Sequence, residues 1–209
     1  MQRNEAAALC RVPGSIVRFG NYQQQYRRVS GPEAIEWLVL EYDEELDRAM
    51  LLSRRIIDAQ PYNKKNEPVT WAECDLRVWL NSVFMETAFT AREREAILLT
   101  KVDNSSAQAY PGYPTDSGAD TEDHVYLLSY AEAWHYFTDA ESRRAERTDW
   151  ALYKEMLGHA DRYFLRSPGN YQNMSAVVFN DGTLTGGQVM SVRGVRPVMW
   201  VDVKKVQGM

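Results

Sequence analysis

The chain has 209 residues, 44% of them hydrophobic, with six tryptophans and twelve tyrosines, which is enough to build one large domain around a sizeable core. Its formal net charge is −5 and its basic pairs Arg54-Arg55, Lys64-Lys65 and Arg143-Arg144 are isolated, which excludes binding to nucleic acid through clustered phosphate contacts. No run approaches the ~18 apolar residues of a membrane span, and the opening MQRNEAAALC lacks the apolar centre of a secretory signal, so the chain reads as synthesised in the cytoplasm.

In chain order, residues 1–14 read as an N-terminal extension and residues 15–209 as a single domain. SIVRFGNY predicts a short strand ending at Gly20. IEWLVLEY and RAMLLSRR, joined by the acidic turn DEELD, predict a β-hairpin. Residues 58–68, DAQPYNKKNEP, read as loop. Three capping boxes follow, Thr70/Glu73, Thr90/Glu93 and Ser129/Glu132, each ahead of an apolar run with helical spacing. The first opens a helix whose apolar positions are Leu76, Trp79, Leu80, Val83 and Phe84. Cys74 falls inside that helix and reads as a buried free thiol; a disulfide to Cys10 stays open, but no disulfide framework or zinc spacing is present.

Residues 104–123 are rich in Pro, Gly, Ser and Asp and predict a long loop, followed by a short strand in HVYLLS. A later helix, capped by Thr148 or Asp149, is expected to stop at Gly158. The last fifth holds short β segments, RYFLRS, SAVVF, GTLT, GQVMSV and RPVMWVDV, divided by Ser167-Pro168-Gly169, Asn180-Asp181-Gly182 and Gly186-Gly187, all read as turns. The fold class is α+β, with strands from both ends of the chain and helices between them.

Catalytic groups are sparse. His124, His135 and His159 are scattered, and His135 in AEAWHYF reads as an ordinary helix residue. The run Asp120-Thr121-Glu122-Asp123 lacks the alternating spacing of a calcium loop and reads as a polar lead-in to a strand. Gly186-Gly187 does not follow a strand into a helix, as a phosphate loop would. No catalytic residue, metal site or cofactor is implied. Arg166 and Arg196 sit in apolar β sequence, where a guanidinium survives by bonding carboxylates or carbonyls. They read as braces of the fold, with an anion clamp as the alternative.

The blocks IEWLVLE, LLSRRIIDAQPYN, TWAECDLRVWLNSVF, DTEDHVYLLSYAEAWHYF, YFLRSPG and GVRPVMWV, in that order, resemble the signature blocks of a bacterial and phage family of unknown function. The resemblance implies a C-type-lectin-type fold, related to the formylglycine-generating enzymes: short twisted antiparallel sheets with flanking helices, first and last strands paired, and a ligand face of loops and short strands. Some proteins of this group are the variable proteins of diversity-generating retroelements, in which the segment between Ser-Pro-Gly and Gly-Val-Arg-Pro is rewritten. That segment corresponds here to the middle of residues 163–203. The resemblance therefore implies a noncatalytic receptor or adhesin, on a virion or cell surface, with a protein or glycan ligand and no set oligomeric state.

The ligand-binding residues expected on this reading are Tyr171, Gln172, Asn173, Met174, Val177, Phe179, Asn180, Thr185, Gln188, Met190, Ser191 and Arg193. Their chemistry suits recognition: Tyr and Phe give contact area at low entropic cost, and Ser, Asn and Gly give adaptable hydrogen bonds. If Val178 and Val189 face inward, Val177, Phe179, Gln188 and Met190 are expected to point outward together. The alternatives are an oxidoreductase of the formylglycine-generating type and a structural phage or surface module. The first lacks its chemical basis, since no cysteine follows Cys74. The motifs of calcium-dependent sugar-binding lectins are also missing.

Overall fold

The computed structural model describes residues 2–26, 31–155 and 162–207. Helices and antiparallel sheets are mixed, as the α+β expectation requires. The first sheet has the order β1-β2-β3-β11, formed by Ile16–Tyr22, Glu33–Asp43, Arg48–Ser53 and Val198–Asp202. The expected hairpin is its centre: β2 and β3 pair antiparallel around a turn in which Asp47 takes φ 46°, a conformation Asp tolerates. β1 and β11 share this sheet but lie at its opposite edges, so the first and last strands do not pair as expected. The hairpin lies between them: β2 buries alternate apolar residues, β3 is buried from Ala49 to Ser53, and each pairs on both sides.

Residues 2–10 of the N-terminal extension are ordered as a helix. They form α1 (Gln2–Cys10), which packs on the C-terminal helix α8 (Val203–Gln207) and buries Ala7 and Cys10. Arg11 fixes its end by donating from Nε and Nη2 to the Asp47 carboxylate at 3.0 and 2.9 Å.

The second sheet has the order β4-β10-β7-β8-β9, formed by Asp58–Pro61, Val192–Val195, Tyr163–Pro168, Met174–Val178 and Leu184–Gln188. β4 lies in the stretch read as loop; its pairing with β10 is a long-range contact that local composition does not encode. All pairs here are antiparallel except β10 on β7, which is parallel at Gly194 and Tyr163. Gly186 and Gly187 are strand residues of β9, and the chain reverses after them at 189–191. A two-stranded sheet joins β5 (Thr100–Val102) to β6 (Thr121–Asp123). HVYLLS is not a strand; it contributes one bridge, Tyr126 to Val198.

Two of the capping boxes form as read. Thr90 and Glu93 cap α4 (Ala91–Ala96), and Ser129 and Glu132 cap α5 (Tyr130–Tyr136). The Thr70 box does not form: residues 71–73 make a single tight turn, and α2 (Asp75–Trp79) begins one turn later with Cys74 as N-cap, its Sγ accepting from the Arg77 amide. Trp71 explains the shift, since its buried indole donates to Asp123 at 3.0 Å and holds the turn out of the helix. The helix continues through Leu80–Phe84 as a π turn into α3 (Met85–Ala88), with Val83 exposed rather than buried. The connection before the later helix contains α6 (Ala140–Arg143). α7 (Asp149–Glu155) is capped by Thr148, whose Oγ1 accepts from the Ala151 amide; Gly158 and His159 lie outside the described residues.

The core runs between the first two sheets and their helices, with Trp37, Trp71, Tyr62, Tyr163, Phe84 and Phe164 fully buried. Both cysteines are buried and unbridged. Among the described residues no helix is long and apolar enough to cross a membrane, and no three His, Cys, Asp or Glu side chains gather to hold a metal ion.

Candidate functional site: a rim of two turns

The frame of the C-terminal segment is packed solid. β7 is buried along its whole length, and Arg166 within it spends its donors inside the protein. Its Nε donates to Asn104 Oδ1 at 3.1 Å, Nη1 to the Leu127 carbonyl at 2.9 Å, and Nη2 to the Asp103 carbonyl at 2.9 Å and to Glu132 Oε1 at 2.9 Å. Arg196 donates to the Ser53 carbonyl at 3.0 Å and to the Tyr163 hydroxyl at 3.2 Å, with its guanidinium over the Phe137 and Tyr163 rings. Each arginine ties the C-terminal strands to an earlier part of the chain, which is the geometry of a brace.

Two turns protrude from one end of the second sheet. The β7–β8 turn carries Tyr171, Gln172 and Asn173, and the β9–β10 turn carries Val189, Met190 and Ser191. The Val189 amide donates to the Asn173 carbonyl at 3.1 Å, so the turns are fastened side by side. Tyr171, Met190 and Val192 expose 65%, 52% and 42% of their surfaces, an unusual concentration of apolar exposure in so short a stretch. Amide groups border them. Asn173 Nδ2 donates to Asn66 Oδ1 at 3.1 Å, and Gln172 bridges to the 104–123 segment, donating to the Asp116 carbonyl at 2.9 Å and accepting from the Asp116 amide at 2.8 Å. Met174 and Gln188 face each other in the adjoining register pair, half-buried and exposed respectively.

The expected residues do not form one patch. The β8–β9 register pairs Met174 with Gln188 and Val177 with Thr185, so Gln188 and Val177 lie on opposite faces of the sheet. Val177 is fully buried and is withdrawn from the binding set. The outward expectation for it presumes a sheet with one solvated face, whereas β8 is covered on both. Phe179 and Asn180 lie at the far end of the hairpin, about 15 Å away by strand rise. That end closes in the Asn180-Asp181-Gly182 turn, with Gly182 at φ 81°. Thr185 and Arg193 lie between the ends, on the face that carries Val177. Tyr171, Gln172, Asn173, Met174, Gln188, Met190 and Ser191 are thus brought together. Val192 joins them without having been expected, although its place beside a Gly-poor turn in an apolar strand gave the signal.

Arg193 lies across β9. A Cβ on Gly187 would stand 2.9 Å from Arg193 Nε and 3.0 Å from a Val177 methyl, so the missing side chain makes room for the guanidinium. Arg162, just ahead of β7 and absent from the expected set, stacks on Phe179 with its Cζ 3.9 Å from the ring centroid. Burial, and secondly the nearby Arg162 charge, hold Arg193 below the usual arginine pKa.

Asp123 and Asp58 are acidic groups of a different kind. Asp123 is buried and accepts from Trp71, Arg77, Asn81 and Thr121, and Asp58 is buried and accepts from Tyr22, Gln60, Trp150 and Lys154. Both are saturated with internal donors and act as hubs that tie helices to sheets. Asp120 accepts from the Asn104 backbone amide at 3.0 Å. A cleft of about 410 Å³ away from the rim is lined by Arg18, Glu33, Glu36 and Arg55 among others.

Residues 47–203 match the family described as Domain of unknown function (DUF6273). No curated protein and no solved structure matches the chain.

Proposed function

The chain belongs to the DUF6273 family, which assigns it no activity, and we propose from its own geometry that it is a noncatalytic binding protein whose ligand face is the two-turn rim. The observation that carries this reading is the exposure of Tyr171 and Met190 on turns that a backbone hydrogen bond holds together, with exposed Val192 beside them at the start of β10, next to the fully buried strand β7. Aromatic and thioether side chains bordered by amides on a shallow surface suit a macromolecular partner, since small molecules favour enclosed apolar clefts.

The finer reading is a C-type-lectin-type scaffold that serves as the variable protein of a diversity-generating retroelement. It is supported by the division of labour along the C-terminal segment: braces at Arg166 and Arg196 and buried strands on the one hand, solvent-facing turns on the other. Substitutions at the turns cost the core little, which is what a diversified surface needs. Absence of catalysis is part of the proposal. Cys10 beside Arg11 and Asp47, and Cys74 beside Tyr62, are separate buried thiols, which suits packing better than redox chemistry.

Sequencing the DNA beside the gene tests the retroelement reading. A near-copy of the segment encoding residues 163–203, differing almost only at adenines and adjoining a reverse transcriptase gene, is the expected result. A locus with neither feature removes it. Stoichiometric copper or iron in purified protein, with turnover of a thiol substrate, would instead establish the oxidase alternative.

A further inference from the structure

We propose that Arg162 and Arg193 form a receptor for an oxyanion, a carboxylate or phosphate group, on the sheet face that carries Thr185 and apart from the rim. The inference goes beyond the display reading and does not rest on it.

The pair is built by the topology. β10 runs parallel to β7 with Gly194 opposite Tyr163, which sets Arg193 beside Arg162 on one face of the sheet. Gly187 leaves space for the Arg193 guanidinium, and the Phe179 ring fixes that of Arg162. Elsewhere the described protein gives its buried guanidinium groups partners: Arg143 reaches the Gly182 and Phe137 carbonyls, Arg166 a carboxylate and carbonyls, and Arg196 a carbonyl and a hydroxyl. Among the described residues neither the Arg162 nor the Arg193 guanidinium has a hydrogen-bond acceptor, and the Nε of each is buried and unpartnered.

Two like charges held side by side, with Nε atoms out of water, are a cost that no hydrogen bond from the described residues relieves. Glu155 is the acidic group whose charge acts on Arg193, and it is already bound to Arg147 at 2.6 Å. The depressed pKa of Arg193 reports the same imbalance. Guanidinium groups present forks of donors that match the two or three oxygens of a carboxylate or phosphate, and such an anion would offset the repulsion between the two charges. Thr185, half-buried, lies on the same face.

The test is a titration of the intact protein with inorganic phosphate, and separately with acetate, at ionic strength held constant with chloride. The arginine Nε–Hε nuclear magnetic resonance signals are the readout. Saturable shifts of the Arg162 and Arg193 signals are expected, with Arg166 and Arg196 unmoved. Arg162→Gln and Arg193→Gln are each expected to weaken binding at least about tenfold, the scale of one lost charge-assisted contact. Saturation by phosphate identifies a phosphate-bearing ligand, and saturation by acetate alone a carboxylate-bearing one. Without added anion, both variants are expected to be as resistant to urea as the parent.

Absence of saturation by either anion, shifts that persist in both variants, or a cooperative loss of stability in both without anion would each overturn the proposal; the last would make the pair a brace. Because no protein partner is used, such a failure leaves the display reading intact, and a failure of that reading, seen in the codons of the rim, leaves the titration unchanged.

Discussion

Glu132 holds Arg166 at both ends of its guanidinium while also capping a helix. Its Oε1 accepts from Arg166 Nη2 at 2.9 Å, its Oε2 pairs with Nη1, and the same Oε2 accepts from the Ser129 amide at 2.8 Å. One carboxylate therefore locks the start of α5 to the strand that precedes the rim. Arg166 is 2% exposed, so removing its partner leaves a buried charge with carbonyls alone. Glu132→Ala is expected to cost about 3 kcal/mol, read as a lowered urea midpoint at unchanged slope. A loss under 1 kcal/mol would mean that the ion pair adds nothing to the brace.

The capping boxes make a contrast within one chain. Thr90 accepts from the Glu93 amide, whereas Thr70 makes no capping bond. Thr90→Ala should cost about 1 kcal/mol, and Thr70→Ala less than half as much for want of a cap to lose. Equal losses in chemical denaturation would contradict the geometry.

The thiols titrate with a definite sign. Burial pushes Cys10 up to about 11 and Cys74 up to about 12. Both stay protonated in the folded state at pH values where an unfolded thiol, near 8.5, ionises. The unfolded chain then binds fewer protons than the folded one, so this contribution is complete below about pH 8.5 and stability falls as pH rises from there toward the folded values. Iodoacetamide at pH 8 is expected to label neither residue until the protein is unfolded in urea. Rapid labelling of the native chain would show the thiols to be accessible.

Gly182 lies at φ 81°, and a Cβ there would collide with the Ala140 carbonyl. Gly182→Ala is expected to cost about 2 kcal/mol or more and to loosen α6, because Arg143 donates to the Gly182 carbonyl at 2.9 Å. Amide exchange across residues 140–143 should quicken; protection equal to the parent's would show the turn adapting freely.

The rim and the sheet beneath it should respond oppositely to truncation. Combined Tyr171→Ala, Met190→Ala and Val192→Ala is expected to cost less than about 1 kcal/mol, since all three are exposed. Val177→Ala alone should cost about 2 kcal/mol by opening a cavity in a buried strand. Cooperative unfolding of the triple variant at much lower urea would make the rim part of the core.

Features written in adjacent residues were legible in the sequence. The β2–β3 hairpin follows from two apolar runs about an acidic turn, and the Thr90 and Ser129 boxes from hydroxyl and glutamate three residues apart. Features decided by distant partners were not. Thr70 has the same box, yet Trp71 is drawn to Asp123, and the helix starts at Cys74 instead. β4 exists because β10 pairs with it, and Val177 is buried because its sheet is covered on both faces. Of the candidate site, the turns were readable from their polar and aromatic composition. The register that divides them from Phe179 and Asn180, and the parallel pairing that brings Arg162 to Arg193, arise only in the folded sheet.

The central claim is that the rim varies while its frame does not. Deep sequencing of the segment encoding residues 163–203 in a population of the source cells or phage measures this directly. Amino-acid changes are predicted to concentrate at codons for Tyr171, Gln172, Asn173, Gln188, Met190, Ser191 and Val192, and to spare Arg166, Val177 and Arg196. Changes spread evenly across both sets, or no amino-acid variation at the rim, would contradict it.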